Sequence, residues 1–213
     1  MIQTKKDLNF YIKADRIMNG YPTSKSPLLF LKNLVDKPAA CVIMSYLNSM
    51  RHYAYYRNTI KSKFSLKILP MLLWHRKWNR LGLKLGFSIG PNSLGYGVVI
   101  PHNGTIVVNS DARIGNFAVL HTCTCVAGGD KRIGDFFYLS TGSQIVGKID
   151  LGDSVTVAAH SLVNSSFDYN CLLAGAPAEL KKDNYNSWIE RDGAHWKERY
   201  NRVVSLRKRI YNN

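Results

Sequence analysis

The chain has 213 residues and a mass of 24.1 kDa, which is enough for one domain with a small helical appendage and too little for two large domains. With 46% hydrophobic and 20% charged residues, the composition excludes wholesale disorder, and no apolar run reaches the ~18–20 residues of a membrane span. The N-terminal residues show no signal-peptide core and the four cysteines do not suggest a disulfide framework, so we expect a cytoplasmic protein.

The net charge of +15 is concentrated at the two ends of the chain. Residues 1–86 contain 16 Lys/Arg and 3 Asp/Glu, residues 87–180 contain 4 and 7, and residues 181–213 contain 9 and 4. Basic ends suit solvated helix faces, an anionic membrane surface or acidic partners. No zinc-finger spacing or aromatic RNA-binding motif accompanies the charge, so we expect no nucleic-acid partner.

Residues 1–86 are predicted to form helices separated by turns. Asn19-Gly20-Tyr21-Pro22 and Ser26-Pro27 indicate turns, and Asp36 followed by Pro38 indicates the start of a helix.

Further along this region, spacing places four leucines on one helical stripe: Leu66, Leu69, Leu72 and Leu73. Pro70 is expected to bend or restart this helix. Basic residues lie around the stripe, at Lys67, Arg76, Lys77 and Arg80. The segment is therefore either a helix that packs its leucines into the core or one that docks on an anionic membrane surface.

Residues 87–180 contain an aliphatic residue every six positions, in three registers. The first register is Leu94, Ile100 and Ile106; the second is Val108, Ile114, Leu120 and Val126; the third is Ile133, Leu139, Ile145, Leu151, Val157 and Val163. Short strands that each point one aliphatic side chain inward can form a three-faced coil, and stacked coils bury a continuous core. We expect local bulges at Phe137, Ile149 and Val155, where bulky residues occupy corners.

Three segments match a known pattern: the stretch around Pro101-His102-Asn103-Gly104-Thr105, the coil Leu139–Gly147, and Gly175-Ala176-Pro177-Ala178. The pattern resembles that of left-handed parallel β-helix acyltransferases over roughly residues 86–182. It is most similar to serine O-acetyltransferases and to their relatives in capsule and surface-polysaccharide gene clusters. This resemblance implies a mainly β, left-handed β-helix and a homotrimer.

The same resemblance divides the chain into three segments. Residues 1–86 would be a helical N-terminal region, residues 87–182 the β-helix acyltransferase domain, and residues 183–213 a basic C-terminal helical tail.

The resemblance also implies an activity, acetyl transfer from acetyl-CoA to a hydroxyl group. His102 would be the general base, since a hydroxyl is a poor nucleophile at neutral pH and histidine titrates near it. His121 would be a second histidine of the site. The residues implied to bind acetyl-CoA are Gly128, Gly129, Thr141, Ala159 and Lys181. No metal is expected, because the spacing of the histidines does not match the zinc site of β-helix carbonic anhydrases.

Two departures from the serine acetyltransferase pattern bear on the acceptor. Pro101 replaces an Asp before the histidine, and the loop at 128–133 lacks an Arg-His pair. Because these missing groups would hold the charges of serine, we expect a sugar hydroxyl of surface polysaccharide (capsule or O-antigen) biosynthesis as the acceptor. A third departure, Ser88 in place of the Asp that pairs with the histidine, leaves open which group orients His102. Serine acetylation and a non-catalytic trimeric scaffold are the alternatives.

The basic tail places Trp188, Trp196, Tyr200 and Val204 near helical spacing. This pattern indicates a helix that packs back on the protein or one that binds a membrane or a partner. Together with the basic N-terminal region, it leads us to expect peripheral contact with the anionic inner face of a membrane.

Overall fold

The computed structural model describes residues 1–22, 39–62 and 64–212, so the turn at Ser26-Pro27 and the helix start at Asp36 lie outside the described residues. The described residues form five helices: α1 (Lys5–Met18), α2 (Ala39–Thr59), α3 (Ile68–Leu85), α4 (Trp188–Arg191) and α5 (Ala194–Tyr211). In this part of the chain, no helix combines the length and the apolar composition that crossing a bilayer requires.

Between α3 and α4 the chain forms a parallel β-solenoid of about five coils with three faces. The first face contains β1 (Phe87–Ile89), β2 (Ile106–Val108), β5 (Thr124–Val126), β8 (Gln144–Ile145) and β11 (Leu162–Val163). The second contains β3 (Ala112–Ile114), β6 (Lys131–Ile133) and β9 (Asp150–Leu151). The third contains β4 (Val119–Leu120), β7 (Tyr138–Leu139), β10 (Thr156–Val157), β12 (Leu172–Gly175) and β13 (Ala178–Lys182), which ends the sheet as an antiparallel hairpin with β12.

The predicted aliphatic repeat forms the core of the solenoid. All thirteen repeat residues are buried, and equivalent positions stack in register, as in the column Val108, Val126, Ile145 and Val163. The β-helix prediction is therefore confirmed. Ile106 differs from the expectation, because it pairs with Thr124, the position two residues before the aliphatic column.

The three bulky corner residues are also buried, and the prediction of local bulges there was wrong. Phe137, Ile149 and Val155 point into the core. Strands β4, β7 and β10 pair in continuous register beside Phe137 and Val155, and strands β6 and β9 do so beside Ile149. The bulk is accommodated because small and large residues alternate in one column, where Ala118 lies above Phe137.

Helix α3 is not bent or restarted at Pro70, and its leucines do not pack into the core. Pro70 lies in the first turn, where its missing N–H removes no helical hydrogen bond, so the helix is not interrupted. Leu66 precedes the helix, and Leu69, Leu72 and Leu73 are exposed. The opposite side packs inward, with the Trp74 ring stacked 4.0 Å from that of His52. The expectation of a core-packed stripe is thus wrong for this chain.

A buried ion pair joins the N-terminal helices to the first coil. Arg51 of α2 donates from Nε to Oδ2 of Asp15 in α1 at 2.9 Å, and both side chains are almost fully buried. Asp15 Oδ1 also accepts the backbone N–H groups of Gly97 and Val98 at 2.8 and 3.2 Å. Arg51 donates from Nη1 to the Leu94 carbonyl at 2.8 Å. Every polar contact of the pair that crosses to the solenoid therefore goes to the backbone of residues 94–98.

The C-terminal helices pack back on the same chain, as one of the two expectations stated. The Trp188 indole N–H donates to the Phe117 carbonyl at 2.9 Å, and the Tyr211 hydroxyl donates to Asp7 in α1 at 2.7 Å. Val203 and Leu206 are buried on α5 instead of Val204. The division of the chain into three domains stays a prediction.

Removing one partner of the buried pair should strongly destabilise the protein. We expect Asp15→Asn to lower the free energy of unfolding by about 3–5 kcal/mol, because it leaves the Arg51 guanidinium buried without a counter-charge. Urea unfolding followed by circular dichroism measures this change.

Two further variants serve as controls for the Asp15→Asn measurement. The double variant Asp15→Leu with Arg51→Met should lose less stability than the two single changes added together, since no unpaired charge remains. Glu179→Gln, which removes the exposed Glu179–Lys181 pair, should have little effect. Equal losses for Asp15→Asn and Glu179→Gln would contradict the assigned role.

Candidate active site

His102 lies in an enlarged corner loop between the third and the first face. Val99 pairs with Val119, and Ile106 pairs with Thr124. The chain therefore takes seven steps from Val99 to Ile106 but only five between the paired residues of the next coil. The two extra residues thus lie at the corner that carries His102, whose side chain is exposed. Because of these extra residues, His102 lies outside the regular path of the coil.

Glycine shapes this loop and connects it to helix α3. Gly104 has φ of +134°, and a Cβ there would meet the Thr122 side chain at 3.2 Å. Its N–H donates to the carbonyl of Leu85, the last residue of α3, at 3.0 Å. Gly86, with φ of +79°, turns the chain from α3 into β1 directly against Gly104. The loop is therefore held by the end of the helix.

His121 follows Leu120 in the next coil and is half-buried. Its Nε2 shares a hydrogen bond of 2.8 Å with the Tyr138 hydroxyl one coil further on. Burial lowers the pKa of His121, the positive charge of His102 lowers it further, and Asp192 opposes both. The structure thus brings His102 and His121 within electrostatic reach of one another and favours neutral His121 at pH 7.

A charged and aromatic group surrounds Tyr138. The Arg191 guanidinium carbon lies 5.5 Å from the centre of the Tyr138 ring and 4.6 Å from that of Tyr185. Arg191 donates to the Thr156 hydroxyl at 3.1 Å and pairs with Asp192 at 2.8 Å. Burial raises the pKa of Tyr138, Asp192 raises it further and Arg191 opposes them, so the hydroxyl stays protonated.

Sequence reasoning did not identify this group around Tyr138. The coil spacing could have indicated Tyr138, which lies one coil beyond Val119 in register. Arg191 and Asp192 carry no such signal, because only the packing of α4 on the third face brings them to the site.

Two of the residues implied to bind acetyl-CoA lie on the same corner as His102. The Gly142 N–H donates to the Thr122 carbonyl, and the His160 N–H donates to the Thr141 carbonyl, so Thr122, Thr141 and Ala159 stack in successive coils. Thr141 and Ala159 are exposed. They form an open strip of small side chains along the corner.

The other three implied residues lie elsewhere on this chain. Gly128 and Gly129 form the corner between the first and second faces, across the width of the first face from His102. The buried Lys131 ammonium holds that corner by donating to the carbonyls of Ala127, Gly128 and Gly147, and burial lowers its pKa. Lys181 lies on β13 beyond the last coil and pairs with Glu179. The roles assigned to all these residues stay predictions.

The two positions that depart from the serine acetyltransferase pattern, and the third histidine of the solenoid, all lie at the surface. Ser88 is exposed on β1 and pairs with Val107 in register, and Pro101 is exposed before His102. His160 is exposed on the strip's corner. Across the described residues, no group of three or more His, Cys, Asp or Glu side chains is arranged to hold a metal ion.

The fold is that of the left-handed parallel β-helix proteins, with helices at both ends. No family model matches the sequence, and no curated protein matches it.

Solved structures of similar fold are serine acetyltransferases. The enzyme from Neisseria gonorrhoeae superposes with a TM-score of 0.57 at 18% identity, over 90% of this chain and 71% of that one. Its complex with serine gives 0.57 at 20% identity, over 82% and 69%. A serine acetyltransferase in complex with CoA gives 0.55 at 19% identity, over 82% and 68%. Because all three identities are 20% or lower, the similarity shows a shared fold and nothing further.

The proximity of the two histidines is testable by titration. Replacing His102 by Gln should raise the pKa of His121, because the variant removes a positive charge that disfavours a second one; burial should still hold that pKa below its ordinary value. Proton NMR of the imidazole signals measures the shift, with His121→Gln identifying the resonance.

His160→Asn is the matched control, since asparagine tolerates the φ of +57° at position 160. It should leave the pKa of His121 unchanged. An unchanged pKa in the His102 variant as well would show that the two rings are not close.

Proposed function

We propose that this protein is an O-acetyltransferase that moves an acetyl group from acetyl-CoA to a hydroxyl group, with His102 as general base. The observation that carries the proposal is the exposed His102 on an enlarged corner loop, beside neutral His121 and at the head of the open strip formed by Thr141 and Ala159. The similar fold of serine acetyltransferases, one of them in complex with CoA, supports acetyl-CoA as the donor.

The chemistry requires one base that also serves as an acid. His102 would take the hydroxyl proton while the oxygen attacks the thioester carbonyl, and backbone N–H groups would stabilise the developing oxyanion. When the carbon–sulfur bond breaks, the same proton would pass from His102 to the CoA sulfur. The products are the acetyl ester and free CoA, so atoms and charges balance.

His121 would act beside this base as a neutral hydrogen-bonding group. Its lowered pKa and its hydrogen bond to Tyr138 favour one uncharged, oriented ring near the reacting hydroxyl. Tyr138 is a positioning residue in this scheme.

The open strip would bind the pantetheine arm of acetyl-CoA, because Thr141 and Ala159 are small and accessible. Gly128 and Gly129 lie across the first face, so they would reach the same ligand from another subunit of the predicted homotrimer. Lys181 would meet a CoA phosphate by charge. The trimer and the cytoplasmic location stay predictions.

We propose a saccharide hydroxyl as the acceptor, in surface-polysaccharide biosynthesis. This assignment is supported by Pro101, which replaces an acidic residue of the serine enzymes, and by the corner at 128–133, which has no Arg-His pair.

Serine is the alternative acceptor, and the comparisons favour it more directly, since every structural relative named above is a serine acetyltransferase. One local observation also supports it. Arg191 and Asp192 together present a positive and a negative side chain near His121 and Tyr138, and these charges could hold a carboxylate and an ammonium group.

Replacing His102 by Ala should reduce acetyl transfer by about a hundredfold or more, since the general base is lost. Calorimetric titration with acetyl-CoA should show nearly unchanged binding. Release of the CoA thiol measures the rate, and His75→Gln on helix α3, away from the strip, is the control that should keep normal activity. A His102 variant with most of its activity would mean that another group is the base.

The acceptor is decided by comparing saccharides and free serine at equal acetyl-CoA. We expect faster turnover of a saccharide; equal or faster turnover of serine would contradict that assignment. Arg191→Gln then separates the two cases, because it should raise KM for serine if Arg191 holds the carboxylate. If acetyl-CoA does not bind at near-millimolar concentration, the non-catalytic scaffold becomes the better interpretation.

A further inference from the structure

The solvent-facing side of helix α3 and the segment before it carry an unusual number of exposed apolar side chains. Six large ones are between 52 and 96% exposed: Phe64, Leu66, Leu69, Leu72, Leu73 and Leu83. Single exposed leucines are common on proteins, but six within twenty residues form a contiguous surface. We call this surface, together with its basic residues, the α3 outer face.

Basic residues are interleaved with these leucines. Leu69, Leu73, Arg76 and Arg80 follow each other at helical spacing along one line of α3, and Lys77 and Lys84 lie beside them. Residues 39–110 contain nine Lys/Arg and no Asp or Glu. The segment that carries this surface is therefore strongly basic and contains no acidic residue that could neutralise it.

The opposite side of α3 attaches the helix to the protein without using the outer face. The Trp78 ring stacks on Tyr53 of α2 at 5.1 Å, and Leu85 is buried. A Cβ on Gly82 would meet the Phe87 carbonyl oxygen at 2.8 Å, so the helix packs closely on the start of the solenoid. Substitutions on the outer face should therefore leave the fold intact.

We infer that the α3 outer face docks on an anionic lipid bilayer. Leucine and phenylalanine side chains would enter the interface of the bilayer, while Arg76 and Arg80 would pair with lipid phosphates. A second copy presenting the same face would place like charges together. A nucleic acid would match the charge but would leave the apolar side chains exposed. This inference does not depend on the proposed function.

The test is flotation of the full chain with lipid vesicles. It should float with vesicles of phosphatidylcholine and phosphatidylglycerol, weakly with phosphatidylcholine alone, and less at high salt, because surface charge is screened. Replacing Arg76 and Arg80 by Gln should weaken partition into the anionic vesicles by on the order of tenfold or more. Replacing Leu69 and Leu73 by Gln, which keeps helix propensity, should weaken it about tenfold.

A matched control removes the same charge elsewhere. Arg202→Gln with Lys208→Gln, both exposed on α5, should bind vesicles like the unchanged protein. Circular dichroism and acetyl-CoA titration check that all variants fold and retain the acetyl-CoA site, which separates failure here from failure of the proposed function.

Three outcomes would overturn the inference. The first is that the unchanged chain does not float with anionic vesicles, and the second is that the α3 variants and the α5 control lose binding equally. The third is that the leucine variants reduce the sedimentation mass in the absence of lipid, which would assign the face to contact between copies.

Discussion

The buried pair of Asp15 and Arg51 is the constraint on which the arrangement of helices and solenoid depends. Its carboxylate fixes the backbone N–H groups of Gly97 and Val98, and the Asn19 amide donates to the Val98 carbonyl at 2.8 Å. The enlarged corner begins only a few residues later. An unpaired charge in this position would be costly, so the packing of α1, α2 and the first coil depends on both members of the pair. The N-terminal helices thus hold the coil that presents His102.

The regular part of the fold could be read from the sequence because each coil repeats the same physical requirement. One inward aliphatic residue per strand is enough to specify a column such as Val108, Val126 and Ile145, and errors in one coil do not change the next. The corners were harder to predict. Phe137 was expected to disrupt one, but the interior has room for its ring because Ala118 lies beside it. A small residue in one coil leaves space for a large residue in the next, and the spacing of residues along a single coil does not reveal this.

The same distinction applies to the candidate site. His102 and His121 could be named from sequence because the resemblance to β-helix acyltransferases marks both of them. Tyr138 and Arg191 could not, since their positions depend on how α4 packs against the third face. The sequence could not decide between a core-packed and an exposed leucine stripe on α3 for a related reason. An amphipathic pattern states which residues share a side of a helix, but only the tertiary structure shows that the tryptophan side faces inward.

Helix α3 connects the α3 outer face with the corner loop that carries His102. Its exposed leucines run from Leu69 in the first turn to Leu83 in the last, and its last residue, Leu85, accepts a hydrogen bond from Gly104 in the His102 loop. An 18-residue helix is roughly 27 Å long, so the two ends are separated by about that distance along one rigid element. A protein docked through the α3 outer face would have this helix lying along the bilayer, with its Leu85 end and the His102 loop attached there also close to the membrane surface. An acceptor carried on a lipid would then meet the histidine without leaving the membrane surface, whereas free serine would gain nothing from this arrangement.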